Sequence, residues 1–235
     1  MARFRTSHLV LSGAAMSVLL TGCSLTATFG PAKRAERTYG VDGKVTALSA
    51  TTHGGDIEVV PVDGGGSVKV TEKYEYSNDK PNPEHKVEDG TLTLKAPDCP
   101  MGERCTVHYK VLLPRTASVD LHTSGGDITV RGTSGAVTAK TSGGNVTLVD
   151  SAARTAQVTT SGGDVDAGFT TVPDDVSGKT SGGDVTIRVP KGSYAVDAST
   201  SGGTRKVTVP TDESSRHKVA ARTSGGNVTV RELGS

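Results

Sequence analysis

Short runs in which apolar and polar side chains alternate make up most of the chain, the period expected of strands with one buried face. In residues 184–190, Val185, Ile187 and Val189 share one face, while Asp184, Thr186 and Arg188 share the other. A Lys191-Gly192-Ser193 turn follows, and Tyr194, Val196 and Ala198 then form a second alternating run. Residues 55–62, 67–76, 91–96 and 106–113 alternate in the same manner. Residues 77–83 carry two prolines and several turn formers, which predicts an exposed loop between strands.

A recurring corner punctuates these runs. It reads Thr123-Ser124-Gly125-Gly126-Asp127, then Thr141-Ser142-Gly143-Gly144-Asn145, then Thr160-Ser161-Gly162-Gly163-Asp164. It returns as Thr180-Ser181-Gly182-Gly183-Asp184, weakly as Thr200-Ser201-Gly202-Gly203-Thr204, and finally as Thr223-Ser224-Gly225-Gly226-Asn227. Successive starts are 18, 19, 20, 20 and 23 residues apart. An earlier relative is Thr52-His53-Gly54-Gly55-Asp56, and a half-copy stands at residues 133–137. Glycine pairs are expected to supply positive φ at the corner, with Thr-Ser bonding local backbone. Strand, turn, strand and corner, repeated, predict an all-β chain: a single-stranded β-solenoid with repeats of about twenty residues. Each rung buries its apolar face only when neighbours stack on it. The alternative is an antiparallel β-sandwich in which every unit is a hairpin. Either way residues 40–235 read as one domain, with an irregular capping half over 40–113 and regular repeats over 114–232.

Composition narrows the class. The chain has 29 valines and 32 threonines against 13 leucines and 3 isoleucines, which excludes a helical bundle. Aromatics are 3%, tryptophan is absent and glycines number 30, so the core must be thin and built of small side chains. The 26 basic and 25 acidic side chains nearly cancel, which argues against a nucleic-acid partner.

The first residues read as a processing segment. Arg3 and Arg5 precede an apolar run from Leu9 to Leu20, too short to span a bilayer. The run ends in Leu20-Thr21-Gly22-Cys23, which resembles the lipobox of bacterial lipoproteins. That resemblance implies a signal peptide over 1–22 and a diacylglycerol thioether on Cys23, with partnership to the membrane through lipid rather than charge. The alternative is an ordinary secretory signal that happens to contain a cysteine. Residues 23–39 then read as a tether whose Lys33, Arg34 and Arg37 lie within reach of anionic headgroups, or as plain solvated linker. The expected address is the cell membrane, lipid-anchored, on the extracytoplasmic face.

Candidate chemistry is sparse. With Cys23 used for lipid, Cys99 and Cys105 are the available pair, and outside the cytoplasm a disulfide is expected. A thiolate metal site helped by His108 is the alternative, but its ligand spacing fits zinc poorly. The corner aspartates and asparagines suggest either turn formers on solvent or a calcium ladder, although the repeat departs from the calcium-binding β-roll pattern. Gly178-Lys179-Thr180 echoes the end of a phosphate loop, yet Pro173 stands where its leading glycine belongs. No nucleophile-elbow or zinc-protease motif occurs, so no catalytic residue, metal or cofactor is expected. Were a glycan-cleaving enzyme hidden here, Asp164, Asp184 and Arg188 would be its candidates.

The repeated T-S-G-G-D/N-V corner resembles the bacterial putative-adhesin family of the actinobacterial lipoprotein type. The Thr91-Leu92-Thr93-Leu94 run, the Cys99/Cys105 pair and Val111-Leu112-Leu113-Pro114-Arg115 share in that resemblance. It implies a β-solenoid over roughly 40–232 and supplies no catalytic residues. The expected function is a non-catalytic surface interaction or adhesion module with an envelope glycan or protein partner. A regulatory module sensing envelope stress and a cell-wall glycan enzyme are the alternatives.

Overall fold

A repeat of twenty residues is too long for one ordinary strand and suits two strands of about five residues joined by two corners. The structure, a computed structural model, describes residues 32–62 and 67–234. Among these residues every regular element is a strand, and the strands form two large mixed sheets of ten and nine members.

From Ser118 onward the chain visits the sheets by turns. β8 (Ser118–His122), β10 (Val137–Lys140), β12 (Thr155–Thr159), β14 (Asp175–Lys179), β16 (Ala195–Ser199) and β18 (Lys218–Arg222) lie in the nine-stranded sheet. β9 (Ile128–Arg131), β11 (Val146–Ser151), β13 (Val165–Phe169), β15 (Val185–Val189), β17 (Arg205–Val207) and β19 (Val228–Glu232) lie in the other. All pairing in this region is parallel, and equivalent repeat positions face each other: Val146 with Val165, Val165 with Val185, Val185 with Val228. Hairpins would pair antiparallel, so the sandwich alternative fails here.

The stacking order departs from the order of the chain. β19 lies between β15 and β17, and β18 between β14 and β16. The last repeat is therefore an interior rung, and the one before it forms the end. Side chains explain the swap. Val219, Ala221, Val228 and Val230 are fully buried, whereas Val196, Ala198 and Val207 are only partly so, and Arg205 and Lys206 before Val207 are exposed. A terminal repeat must tolerate water on its outer side, and the chain spends its longest repeat spacing in reaching the end and returning. The other end repeats the device: β2 (Ala47–Thr51) and β3 (Ile57–Val62) insert between β6 (Thr91–Lys95) with β7 (Cys105–Pro114) and the β8/β9 rung.

Beyond β7 the pairing turns antiparallel. β4 (Lys69–Tyr76) pairs with β7, and β1 (Lys33–Gly40) pairs with β4; across the interior β5 (Glu84–Glu88) pairs with β6. Residues 33–39 were expected in the tether, but they are this edge strand. Ala35 and Tyr39 pack on the core, Arg34 pairs with Glu75 at 3.0 Å, and Arg37 covers the Tyr39 ring at 4.8 Å. The 77–83 segment is a loop as expected, but its Pro81 and Pro83 are buried and help close this end. Residues 1–31, including Cys23 and the signal segment, lie outside the described residues.

The interior tapers. In the nine-stranded sheet the inward residues are Val137 and Ala139, Ala156 and Val158, Val176 and Gly178, so the sheets lie close together along the repeats. Toward the N-terminal end they become Leu48, Leu92 and Leu94, faced by Tyr74 and Tyr109 of the ten-stranded sheet, so the buried side chains are larger there.

Candidate interaction surface

Each corner is held by its threonine. The hydroxyl of Thr141 donates to the Gly126 carbonyl of the neighbouring rung at 2.9 Å and accepts from the Gly144 amide of its own at 3.3 Å. Thr123, Thr160, Thr180 and Thr223 repeat the outward bond to Gly55, Gly144, Gly163 and Gly183 at 2.7–2.9 Å. Thr200 closes the column on Gly226 at 2.7 Å, following the swapped order rather than the sequence. These bonds satisfy backbone groups that the turn removes from the strand ladder, and all of these threonines except Thr200 are buried. Their reach is between rungs as well as local, which extends the expectation from sequence.

The glycine pair has a different reason from the one expected. None of the corner glycines has positive φ. Instead the second glycine lies flat on its counterpart: a Cβ on Gly144 would fall inside the Gly126 carbonyl, and one on Gly163 inside that of Gly144. The first glycine is under less pressure, since a Cβ on Gly143 would meet the Gly125 oxygen at 3.5 Å. Close approach of backbones, not handedness, selects glycine here.

The Asp/Asn position forms a second column. The Oδ1 of Asp56 accepts from the Asp127 amide at 2.9 Å, Asp127 from Asn145 at 2.7 Å, and Asn145 from Asp164 at 2.8 Å. Asp164 then accepts from Asp184 at 2.7 Å, Asp184 from Asn227 at 2.6 Å, and Asn227 from Thr204 at 3.0 Å. His108 heads the series, its Nδ1 accepting from the Asp56 amide at 3.0 Å and lying 3.2 Å from the Asp56 carboxylate. Asp and Asn both place an Oδ1 acceptor at this reach, so the two interchange along the column, and His108 Nδ1 takes the same role at its head. Carboxylates stand adjacent only as Asp56–Asp127 and Asp164–Asp184, with the asparagines between and beyond them.

The remaining candidates separate. Asp164 and Asp184 belong to this ladder, while Arg188 pairs with Asp166 on the outer face of the ten-stranded sheet. Gly178 faces the core near Val185 and Ile187, and Lys179 ends β14 immediately before the corner, with no helix following. Cys99 and Cys105 are disulfide-bonded, while His108 joins Asp56 instead of the sulfurs.

Sequence reasoning missed a buried polar cluster at the wide end. Glu72 is fully buried, accepting from Tyr39 at 2.7 Å and from Tyr74. The Tyr109 hydroxyl is buried beside them and, among the described residues, has no hydrogen-bond partner. Burial, reinforced by bonding to Glu72, raises the Tyr39 and Tyr74 phenols above the ordinary range; burial and the Glu72 charge do the same for Tyr109. The signal was a glutamate between Val70 and Tyr74 on the inward phase of an alternating strand. Outside this cluster a hollow of about 650 Å³ lies over Asp56, Glu58, Lys73, His108 and Lys110. Within it Lys110 lies 3.0 Å from Glu58 and His108 3.2 Å from Asp56.

Among known families, the Toastrack DUF4097 family matches residues 42–231. The chain belongs to this family. The putative-adhesin resemblance read from the corners is thereby upheld. No curated protein matches the chain. Among solved structures, a putative cell adhesion protein from Clostridium sporogenes is similar, at 12% identity and a TM-score of 0.50, over 86% of this chain and 100% of that one. A putative adhesin from Bacteroides fragilis is similar at 16% identity and a TM-score of 0.50, over 86% and 97% of the two chains. At such identities the likeness concerns the fold of this Toastrack chain alone.

Proposed function

We propose that this Toastrack chain is a β-solenoid lipoprotein, anchored through Cys23 on the extracytoplasmic side of the membrane, that serves as a non-catalytic surface interaction module. One observation carries the reading: the repeated residues are consumed by the stack itself. Corner threonines, glycines and Asp/Asn oxygens bond the neighbouring rung, so the conspicuous motif has a structural task and the residues that vary between rungs are left on two flat outer faces. Broad faces of exposed strand residues suit an extended partner better than a small substrate. Similarity to two adhesion-type folds supports the same reading. The single domain, in this reading, runs from β1 to β19, with residues 23–32 as tether.

Two measurements test it. Cells fed labelled palmitate are expected to label the wild-type chain and not Cys23→Ala; equal labelling of both overturns the anchor. The lipid-free chain from residue 24 to 235, immobilised with its disulfide intact, is expected to retain envelope glycan or protein that a scrambled-surface control does not. Retention of nothing overturns the interaction role.

A further inference from the structure

The register places the last outward residue of each strand in the nine-stranded sheet in a single row beside the corner column. Lys95, His122, Lys140, Lys179 and Arg222 all fall in that row, with Thr51 and Thr159 as the uncharged positions between them. At ~4.8 Å per rung, Lys95 to Arg222 covers about 29 Å, with Lys140 and Lys179 about 10 Å apart. A chain whose charges nearly cancel overall thus gathers cations along one line. Glu84, opposite Lys95 at the extreme end, is the acidic exception.

These cations differ in how they are engaged. His122 lies 2.9 Å from Asp120, and Arg222 pairs with Asp197. Lys95, Lys140 and Lys179 are exposed and, among the described residues, have no carboxylate within ion-pair distance. In the hollow on the opposite sheet Lys110 and His108 already have acidic partners, whereas three lysines of this row are left for something else. Exposed serines of the corner, such as Ser161 and Ser181, border it with hydroxyl donors.

We propose that this row binds a linear phosphodiester polymer, a polyol- or sugar-phosphate chain of the envelope, laid one strand wide along the stack. The proposal rests on the surface-interaction reading and names its partner class. Width favours a single polymer chain. One row further from the corner the face carries Asp120 and Asp197 around neutral Thr138, Gln157 and Ser177. A flat anionic bilayer or a wide duplex would press on those carboxylates, whereas a thread confined to the row avoids them. Neighbouring charges about five to ten ångströms apart, one or two rungs, also suit a polymer with one phosphate per flexible unit better than a dense duplex.

The test uses the disulfide-intact chain from residue 24 to 235 and synthetic poly(glycerol phosphate), titrated by calorimetry at low and at physiological salt. Binding is expected to weaken with salt, and Lys140→Glu/Lys179→Glu is expected to reduce affinity by about tenfold or more. The same variant should flatten the log–log salt slope by ~0.7 for each lost contact. Lys69→Glu/Lys73→Glu, an equal charge change on the opposite sheet, is expected to bind as wild type. Unchanged melting temperatures show that the variants fold. Absence of polymer binding at low salt, or equal loss in both variants, overturns the proposal. Binding to vesicles rich in anionic phospholipid but not to the polymer, lost in Lys140→Glu/Lys179→Glu, overturns it in favour of a membrane surface. If the polymer fails while wild type and variant retain the same envelope material, this proposal falls and the broader reading stands.

Discussion

The two halves of the molecule solve one packing problem differently. Over the repeats, Ala139, Ala156 and Gly178 take inward positions of one sheet and Val146, Val165 and Ile187 those of the other, and the interior is narrow and built mostly of small side chains. At the N-terminal end Leu48, Leu92, Leu94 and Tyr109 separate the sheets, and Glu72 with its tyrosines fills the added space. A narrow interior can be copied, because each rung meets its own likeness and the same three bonds satisfy every corner. A wide interior cannot, because each side chain has a unique neighbour. Repetition therefore ends where the taper begins, and capping strands β1, β4 and β5 take over.

The sharpest way to break the repeated half is through its glycines. Gly144→Ala is expected to cost more than about 3 kcal/mol or to prevent folding, since the added methyl must displace the Gly126 carbonyl. Gly143→Ala, one residue away, is expected to cost under ~1 kcal/mol, as its methyl meets only ordinary contacts. Urea unfolding of both variants measures the difference. Equal effects would show that the corner is not selected by close stacking.

The wide half should instead fail through its polar cluster. Tyr74→Phe removes one of two donors from a fully buried carboxylate and is expected to cost roughly 1.5–3 kcal/mol by the same measurement. Alkali should act there too. The Tyr39, Tyr74 and Tyr109 phenols are raised in the folded state, while unfolded phenols titrate near pH 10. The stability they contribute is complete below about pH 10 and declines as pH rises above it, because the unfolded chain releases its protons first. Hydrogen exchange is expected to quicken in β4 and β7 at high pH before it does in β11, β13 and β15. Simultaneous loss of protection would contradict the division.

A smaller effect probes the Asp/Asn column. Asn145→Asp keeps the acceptor for Asp164 but joins the Asp56–Asp127 and Asp164–Asp184 pairs into one acidic run. At ~5 Å spacing each new pair costs about 0.8 kcal/mol at the dielectric of water. A net loss of about 1 kcal/mol is expected, largely recovered at molar salt.

Much of this was legible beforehand. Alternation located β3, β4, β6, β7 and β15, and the corner motif located the column that holds the rungs together. Other features left weaker traces. β5 is wholly exposed, and β1 carries a mostly charged sequence, so neither has the apolar phase that reveals a strand. Glycine read as a φ requirement because backbone-to-backbone approach is a property of neighbouring rungs, invisible in any one repeat. The swapped order was hidden for the same reason: near-identical corners carry no label of rank. Its only marks were Thr204 in place of Asp or Asn and the 23-residue spacing that follows.

That order is open to a direct measurement. Paired cysteines at Ser181 and Ser224 occupy adjacent rungs, as do cysteines at Ser201 and Ser224, and both pairs fall within disulfide reach at ~4.8 Å rung spacing. Cysteines at Ser181 and Ser201, neighbours in the sequence of repeats, lie two rungs and roughly 10 Å apart, beyond that reach. Mild oxidation of the three double variants is expected to cross-link the first two pairs and not the third. Cross-linking of Ser181→Cys with Ser201→Cys, and failure of Ser181→Cys with Ser224→Cys, would contradict the stacking.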